Sequence, residues 1–201
     1  MSEASRRELD RLRERFKRSA VGDTIYGDQG TRPGVKGLHA ASVLIPVVAR
    51  DEGPTILFTQ RTAHLKNHSG QISFPGGRTE ESDASPEMTA LRETWEEVGL
   101  AAEHIEVLGR LSEYHTRTGY CITPVVAIVQ PPFDLMPDPN EVGEVFEVPL
   151  SFLLDAQNHQ KQSREFQGEQ RHFFAIPYED RYIWGATAGM LVNLSRYLAS
   201  S

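Results

Sequence analysis

The chain has 201 residues, of which 39% are hydrophobic and 24% are charged, a composition typical of one folded domain with a real core. The net charge of −7 argues against general nucleic-acid binding, because a polyanion would be held only at a local basic patch. No apolar run approaches the roughly 20 residues of a membrane helix, and charged residues stud the N-terminus where a secretory signal would be apolar, so we expect a cytoplasmic protein.

The first 19 residues alternate Arg and Glu around Leu9, Leu12 and Phe16, which predicts an amphipathic helix that docks on the main body. Residues 21–37 contain many glycines and prolines and are predicted to be a loop. We therefore divide the chain into an N-terminal helix and loop, residues 1–37, and a main domain, residues 38–201.

Six runs rich in β-branched residues predict strands at 42–49, 55–60, 105–111, 120–129, 142–148 and 172–178. The first two flank a short turn, which favours a hairpin. Helices are predicted at 86–98 and 187–198, the first with Ser85 as its N-cap and Gly99 just beyond its end. This order predicts an α+β fold, an α/β/α sandwich around a central mixed sheet. The single cysteine, Cys121, falls in a strand and is expected to be a small buried hydrophobe.

The predicted helix at 86–98 is amphipathic in an unusual way. At 100° per residue its presumed packing face holds Met88, Leu91, Trp95 and Val98. The opposite face, expected to be exposed, presents three carboxylates, those of Glu93, Glu96 and Glu97. Like charges at this spacing repel one another, and a hard divalent cation such as Mg²⁺ or Mn²⁺ would offset that repulsion. Without further context, however, a solvated acidic surface is the more common explanation of such a face.

The loop before this helix contains two adjacent glycines, Gly76 and Gly77, which allow a close approach of backbone to ligand. Together the loop and helix resemble the Nudix box, a loop–helix–loop signature with Arg-Glu-x-x-Glu-Glu on its helix. The matching residues are Gly77, Asp83, Arg92, Glu93, Glu96, Glu97, Gly99 and Leu100. Three features depart from the general box: a gap one residue longer before Arg92, Asp83 in place of Glu, and Thr94 in place of an aliphatic residue.

The longer gap and the segment upstream resemble the coenzyme A pyrophosphatase branch of that family. That segment, residues 57–77, contains Thr-x-Arg, Leu-Lys-x-His-x-Gly-Gln and Phe-Pro-Gly-Gly elements. With the later segments 123–126, 140–142 and 184–187, the resemblance covers roughly residues 38–190. It implies a small nucleotide substrate and contacts to it from Arg61, Lys66, His68, Gln71, Phe74 and Gly76.

The resemblance also implies the metal ligands. Glu93 and Glu97 would be the principal carboxylates, with Glu96 close by and a carbonyl near Gly77 completing the site. A further acidic residue from a later loop is expected, and Glu141 is the candidate ahead of Glu144. Arg92 would orient a neighbouring glutamate, and the cation would be Mg²⁺ or Mn²⁺.

Two other sets of residues, a histidine pair and two aromatic residues, have simpler explanations than a functional site. His64 and His68 stand four residues apart, but no third zinc ligand follows at a recognised spacing, and the upstream motif explains the segment better. Tyr182 and Trp184 could stack on an adenine, yet aromatic residues beside a terminal strand are more often core.

The function that the resemblance implies is metal-dependent hydrolysis of coenzyme A, its thioesters or its oxidised form, to 4′-phosphopantetheine and adenosine 3′,5′-bisphosphate. The residues themselves indicate only a divalent metal and a phosphoanhydride. Three alternatives stay open: a pyrophosphatase acting on ADP-ribose or another nucleoside diphosphate derivative, a Nudix-like module that binds a nucleotide without cleaving it, and a structural Mg²⁺ site. The sequence also leaves open whether the chain acts alone or as a homodimer.

Overall fold

The computed structural model describes residues 1–18, 25–26, 37–62, 70–166 and 168–200. The helices are α1 (Glu3–Arg18), α2 (Pro86–Val98), α3 (Leu150–Leu154) and α4 (Ala186–Ala199). The strands are β1 (Ile25–Tyr26), β2 (His39–Val48), β3 (Thr55–Arg61), β4 (Ile72–Ser73), β5 (Gly76–Arg78), β6 (Ile105–Arg110), β7 (Tyr114–His115), β8 (Tyr120–Val129), β9 (Val142–Pro149), β10 (Gln160–Phe166), β11 (Glu169–Tyr178) and β12 (Arg181–Trp184). None of the described helices is both long and apolar enough to cross a membrane.

The central sheet is mixed and, within the described residues, has nine strands. Its main path runs β1-β7-β8-β2-β3-β4, while β5, β6 and β9 pair with β2, β8 and β3, respectively. The pair β2–β8 is parallel over its whole length, from His39 opposite Tyr120 to Val48 opposite Val129. A second sheet, β10-β11-β12, is antiparallel.

Alternate residues of the central strands face two different helix layers, as the period of two in a strand requires. On one face, Leu44, Val125 and Ala127 pack against Ala90 of α2. On the other, residues such as Ile45 share a core cluster with α1, α3 and α4. The predicted α/β/α sandwich is therefore confirmed.

The predicted elements differ from the observed ones mainly at their ends. Helix α2 has the predicted bounds; Ser85 Oγ accepts from Met88 N at 3.3 Å, and Gly99 ends the helix with φ of 68°. The hairpin β2–β3 exists but is only two residue pairs long, because β5 and the Pro75 carbonyl pair with the earlier part of the same edge of β2. Seven of the described elements were not predicted. Strand β10 is mostly polar, and the others have only two to five residues each: β1, β4, β5, β7, β12 and α3.

Helix α1 is docked on the main body, as predicted. Leu9 is fully buried and Leu12 is 3% exposed, both within the core cluster that includes Ile45. Hydrogen bonds fix the helix at both ends: Ser5 Oγ donates to Arg50 O at 2.7 Å, and Arg15 Nε donates to Tyr197 O at 2.9 Å. The division of the chain at residue 37 stays a prediction.

Shortening Leu9 tests whether α1 is part of the cooperative core. We expect Leu9→Ala to lower the free energy of unfolding by about 2–5 kcal/mol, because it removes fully buried methyl groups and leaves a cavity. The control, Arg7→Ala, removes an exposed side chain from the same helix and should change it by less than about 0.5 kcal/mol. Urea unfolding measures the free energy of unfolding of both variants. Equal free energies for Leu9→Ala and Arg7→Ala would mean that α1 unfolds separately from the core.

Candidate functional site

Helix α2 packs on the sheet through a different face from the predicted one. Met88 and Trp95, expected to be buried, are 51% and 52% exposed. The buried positions are Thr89, Ala90, Thr94, Glu97 and Val98. At 100° per residue, this face is rotated by about a third of a turn from the predicted face. The expectation that Glu97 lies on an exposed surface is therefore wrong: Glu97 is 6% exposed.

The two adjacent glycines allow α2 to approach the sheet this closely. A Cβ on Gly77 would overlap the carboxylate of Glu93, and a Cβ on Gly76 would overlap backbone atoms of Ser42 and Val43 in β2. Gly76 also has φ of 156°, which side-chain-bearing residues rarely adopt. The two glycines therefore bring the loop backbone into contact with the carboxylates of the helix.

Glu97 is the most buried carboxylate of the site. Its Oε2 accepts a hydrogen bond from Gly76 N at 3.3 Å, and Arg61 Nη1 lies 3.9 Å from its Oε1. Burial, together with the negative charges of Glu141 and Glu93, raises the pKa of Glu97 to about 8 despite the opposing effects of Gly76 and Arg61. Burial also raises the pKa of Glu93, and Glu96 and Glu141 contribute in the same direction.

Glu141 reaches this cluster because its loop is fastened to the end of α2. Asp138 N donates to Glu97 O at 2.9 Å, and Asp138 O then accepts from Glu141 N at 3.1 Å. On its other side, Glu141 O accepts from Thr62 N at the end of β3. Glu144, the other residue considered, forms a two-pronged ion pair with Arg181 at 2.6 Å instead. The geometry therefore favours Glu141 as the fourth acidic group.

Arg92 lies between the acidic groups and the preceding loop. Its Nη1 donates to Glu93 Oε1 at 3.0 Å and to Glu96 Oε2 at 3.1 Å, while its Nε and Nη2 grip Asp83 at 3.1 and 2.9 Å. Thr89 Oγ1 also donates to Asp83. The Arg92 guanidinium and these donors hold the pKa of Asp83 far below its usual range. Sequence reasoning noted Asp83 only as a departure from the box, whereas the structure gives it the role of fixing Arg92.

Apart from Gly76, whose N donates to Glu97, the residues expected to contact substrate divide into three groups. Arg61 and Gln71 lie together beside the site, with Arg61 N donating to Gln71 O at 3.0 Å. Phe74 was expected to contact substrate, but it is 2% exposed and stacks on Phe58 at 5.1 Å between ring centroids. Its side chain is therefore part of the core. Lys66 and His68, like His64, lie outside the described residues.

Two aromatic residues near the C-terminal end of the chain are more exposed than a core residue would be. Tyr182 is 42% and Trp184 is 40% exposed. Tyr182 donates its hydroxyl to Gln162 Oε1 at 2.6 Å, and Trp184 makes an edge contact with Phe173. Both lie in the small antiparallel sheet. Because both side chains are this exposed, the prediction that they are core residues is wrong.

Taken together, Glu93, Glu97 and Glu141 place three carboxylates near one another, with the Arg61 guanidinium beside Glu97 and the Arg92 guanidinium beside Glu93. Buried like charges are unfavourable unless a counter-charge offsets them. An all-oxygen set of this kind is the donor chemistry of hard divalent cations, and phosphate oxygens are their usual additional ligands. The arrangement therefore fits a site where a cation and a phosphate group are held together.

A family model, the NUDIX domain, matches residues 38–168 of the chain. The chain belongs to the NUDIX family. It is 40% identical over 177 residues to the uncharacterized Nudix hydrolase NudL of Citrobacter koseri, covering 86% of this chain and 92% of that protein. NudL of Photorhabdus laumondii is 38% identical over 158 residues, covering 79% and 83%. The crystal structure of RenU, a Nudix hydrolase from M. smegmatis, is 26% identical, covers 67% of this chain and 84% of its own, and has a TM-score of 0.49.

The Asp83–Arg92 pair of this Nudix hydrolase should produce a specific pH dependence of stability. Because the folded state lowers the pKa of Asp83, the pair stabilises the fold above the ordinary value of 3.8 and loses that contribution as pH falls below it. We therefore expect Asp83→Asn to be less stable than wild type at neutral pH, with the gap closing as the solution is acidified below pH 3.8. Urea unfolding across pH measures the gap.

The matched control for that measurement is Glu81→Gln, which removes a carboxylate from an exposed position in the same loop. Its stability should follow that of wild type at every pH. A gap for Asp83→Asn that does not change with pH would show that the ionised carboxylate is not what holds Arg92.

Proposed function

We propose that this Nudix hydrolase cleaves the pyrophosphate bond of coenzyme A, or of its thioesters or oxidised form, giving 4′-phosphopantetheine and adenosine 3′,5′-bisphosphate. Hydrolysis of a nucleoside diphosphate derivative is the activity that family membership supports. The observation that carries the site is the buried carboxylate of Glu97, held by Gly76 N beside Glu93 and Glu141. The coenzyme A assignment is supported by the resemblance of residues 57–77.

The proposed cation is Mg²⁺ or Mn²⁺, held by Glu93 and Glu97 with Glu96, Glu141 and a carbonyl near Gly77 as further donors. The residues fit such an ion, because the raised pKa values of Glu93 and Glu97 reflect burial and mutual repulsion that a cation would offset. When bound, a cation of this kind neutralises charge on the pyrophosphate and makes water a better nucleophile.

The side chains of the chain then divide the remaining work. Arg92, anchored on Asp83, holds Glu93 and Glu96 in fixed positions through Nη1. Arg61, at the end of β3 and 3.9 Å from Glu97, can pair with a phosphate oxygen at the same point. A carboxylate of the cluster would accept the proton of the attacking water.

The substrate assignment is tested by a panel. The purified protein is incubated with coenzyme A, ADP-ribose, NADH and diadenosine polyphosphates, each with Mg²⁺, Mn²⁺ or EDTA, and products are identified by mass spectrometry. We expect phosphopantetheine and adenosine bisphosphate from coenzyme A, only with metal, and faster than from the other substrates. Faster cleavage of another substrate would support Nudix hydrolase activity but contradict the coenzyme A assignment. No cleavage of any substrate would favour a module that binds a nucleotide without cleaving it.

Glu97→Gln tests the assigned site. We expect turnover to fall by about 10²–10⁴-fold, because the variant loses a charged carboxylate of the metal-binding cluster. The control Glu103→Gln changes a carboxylate that is 81% exposed and absent from the site, and it should keep wild-type turnover. Unchanged turnover in Glu97→Gln would remove this residue from the site.

The same variant has an independent readout in EDTA. Because folding raises the pKa of Glu97 from 4.5 to about 8, the metal-free wild type loses stability as pH rises through this interval, and Glu97→Gln loses less. Melting temperatures measured in EDTA should therefore favour the variant increasingly towards pH 8. Added Mg²⁺ should raise the melting temperature of wild type more than that of the variant.

A further inference from the structure

A second group of ligand-type side chains lies on the hairpin formed by β7 and β8. It consists of Glu113, His115 and Cys121, and one ligand atom from each lies within 4.8 Å of the other two. Glu113 Oε2 is 3.5 Å from His115 Nε2, and Glu113 also contacts the Cys121 thiol. None of these residues belongs to the carboxylate cluster of α2.

The sheet register accounts for this convergence. His115 and Cys121 are directly opposite each other in the antiparallel pair, so their side chains project from the same face at neighbouring positions. Glu113 is two residues before His115 and shares that face, because side chains in an extended segment alternate. Tyr114, between them, points the other way and is buried against Gly189 of α4.

The backbone of the hairpin is fixed before any ligand binds. Thr116 N donates to Tyr120 O at 2.8 Å, and Tyr120 N donates to Thr116 Oγ1 at 3.0 Å. His39 N of the adjacent strand donates to Gly119 O at 2.8 Å. The loop therefore holds His115 and Cys121 in register, which reduces the entropy that a ligand would have to remove.

The donor set determines the class of ligand. One thiol, one imidazole and one carboxylate are the ligands of borderline transition metals and above all of Zn²⁺, whereas Mg²⁺ and Mn²⁺ prefer oxygen. In a tetrahedral zinc site, neighbouring ligand atoms are about 3.3–3.6 Å apart. The 3.5 Å contact between Glu113 and His115 already has that separation. The Glu113 side chain is 51% and the His115 side chain 19% exposed, so an ion can enter from solvent.

We propose that Glu113, His115 and Cys121 form a Zn²⁺ site with three protein ligands, open to solvent for a fourth, and separate from the oxygen-lined site of α2. Binding releases the thiol proton of Cys121 to solvent and leaves a thiolate on the metal. The three ligands bridge both ends of the 116–119 loop, so the bound ion links β7 to β8.

The alternative chemistry for these residues, a thiolate nucleophile, is disfavoured by the same contacts. Burial and the adjacent Glu113 carboxylate raise the pKa of Cys121 to about 11, so the free thiol stays protonated at neutral pH. Glu113 contacts the thiol itself, whereas a nucleophile needs its base against the sulfur and the acid behind the base. A cation between the three groups removes this repulsion.

Cobalt gives a direct test, because Cys121 is the only cysteine in the chain and any thiolate-to-cobalt absorption must come from it. The 201-residue chain is stripped with EDTA, dialysed into excess Mg²⁺ to fill the oxygen-lined site, and titrated with Co²⁺. We expect near-ultraviolet charge-transfer absorption that saturates at one Co²⁺ per chain and disappears when Zn²⁺ is added. Absence of that absorption in the wild-type protein overturns the proposal without any variant.

The ligand set is tested by equilibrium dialysis of Zn²⁺ against Cys121→Ser, His115→Gln and Glu113→Gln. Each should lower the affinity by roughly 100-fold or more, since loss of outer partners alone costs about 10–100-fold. The matched control is His104→Gln, whose histidine also lies beside a glutamate, Glu103, at 3.8 Å. Zinc affinity unchanged in Cys121→Ser or His115→Gln, or lowered equally in His104→Gln, would contradict the assigned ligands.

Discussion

The close contact of α2 with the glycine pair at 76–77 is the constraint on which the site depends. Any side chain at Gly77 would occupy the space of the Glu93 carboxylate, and any at Gly76 would collide with the backbone of β2. The contact also supplies Gly76 N as a hydrogen-bond donor to Glu97. The backbone of a sheet is held rigidly by its hydrogen bonds. Contact with this backbone therefore holds the carboxylates of Glu93 and Glu97 in position more closely than flexible side chains alone would.

The orientation of α2 follows from the same contact and has a cost in hydrophobic burial. Turning Glu97 inward rotates the helix by about a third of a turn from its most apolar face, and Met88 and Trp95 are consequently left half exposed. Thr94 tolerates the buried face because its hydroxyl donates to Ala90 O at 2.7 Å. Thr94, which replaces the usual aliphatic residue of the box, thus fits a helix whose buried face also carries the Glu97 carboxylate.

Particular residues show what could be predicted from the sequence and what could not. Ser85 and Gly99 act through local geometry, so the bounds of α2 followed from residue type alone. Which face of that helix is buried could not be predicted from the sequence. A hydrophobicity pattern places carboxylates in solvent and takes no account of charges that a bound ligand would offset. Glu141 was selected by its place in a loop, but only the hydrogen bonds of Asp138 explain why that loop lies beside Glu97. The roles of Glu93, Glu97 and Arg61 in catalysis stay predictions.

Cys121 illustrates a different limit. Its strand was predicted with the correct bounds, yet its partners depend on register, and no local pattern in the sequence pairs position 121 with position 115. Once the register is known, the chemistry separates the two donor clusters: carboxylates on α2 suit hard cations, whereas sulfur and nitrogen on the hairpin suit zinc. Because Mg²⁺ binds sulfur and nitrogen poorly, a chain with both clusters could hold two different metals at once, and activity measured in Mg²⁺ alone would report on only one of them.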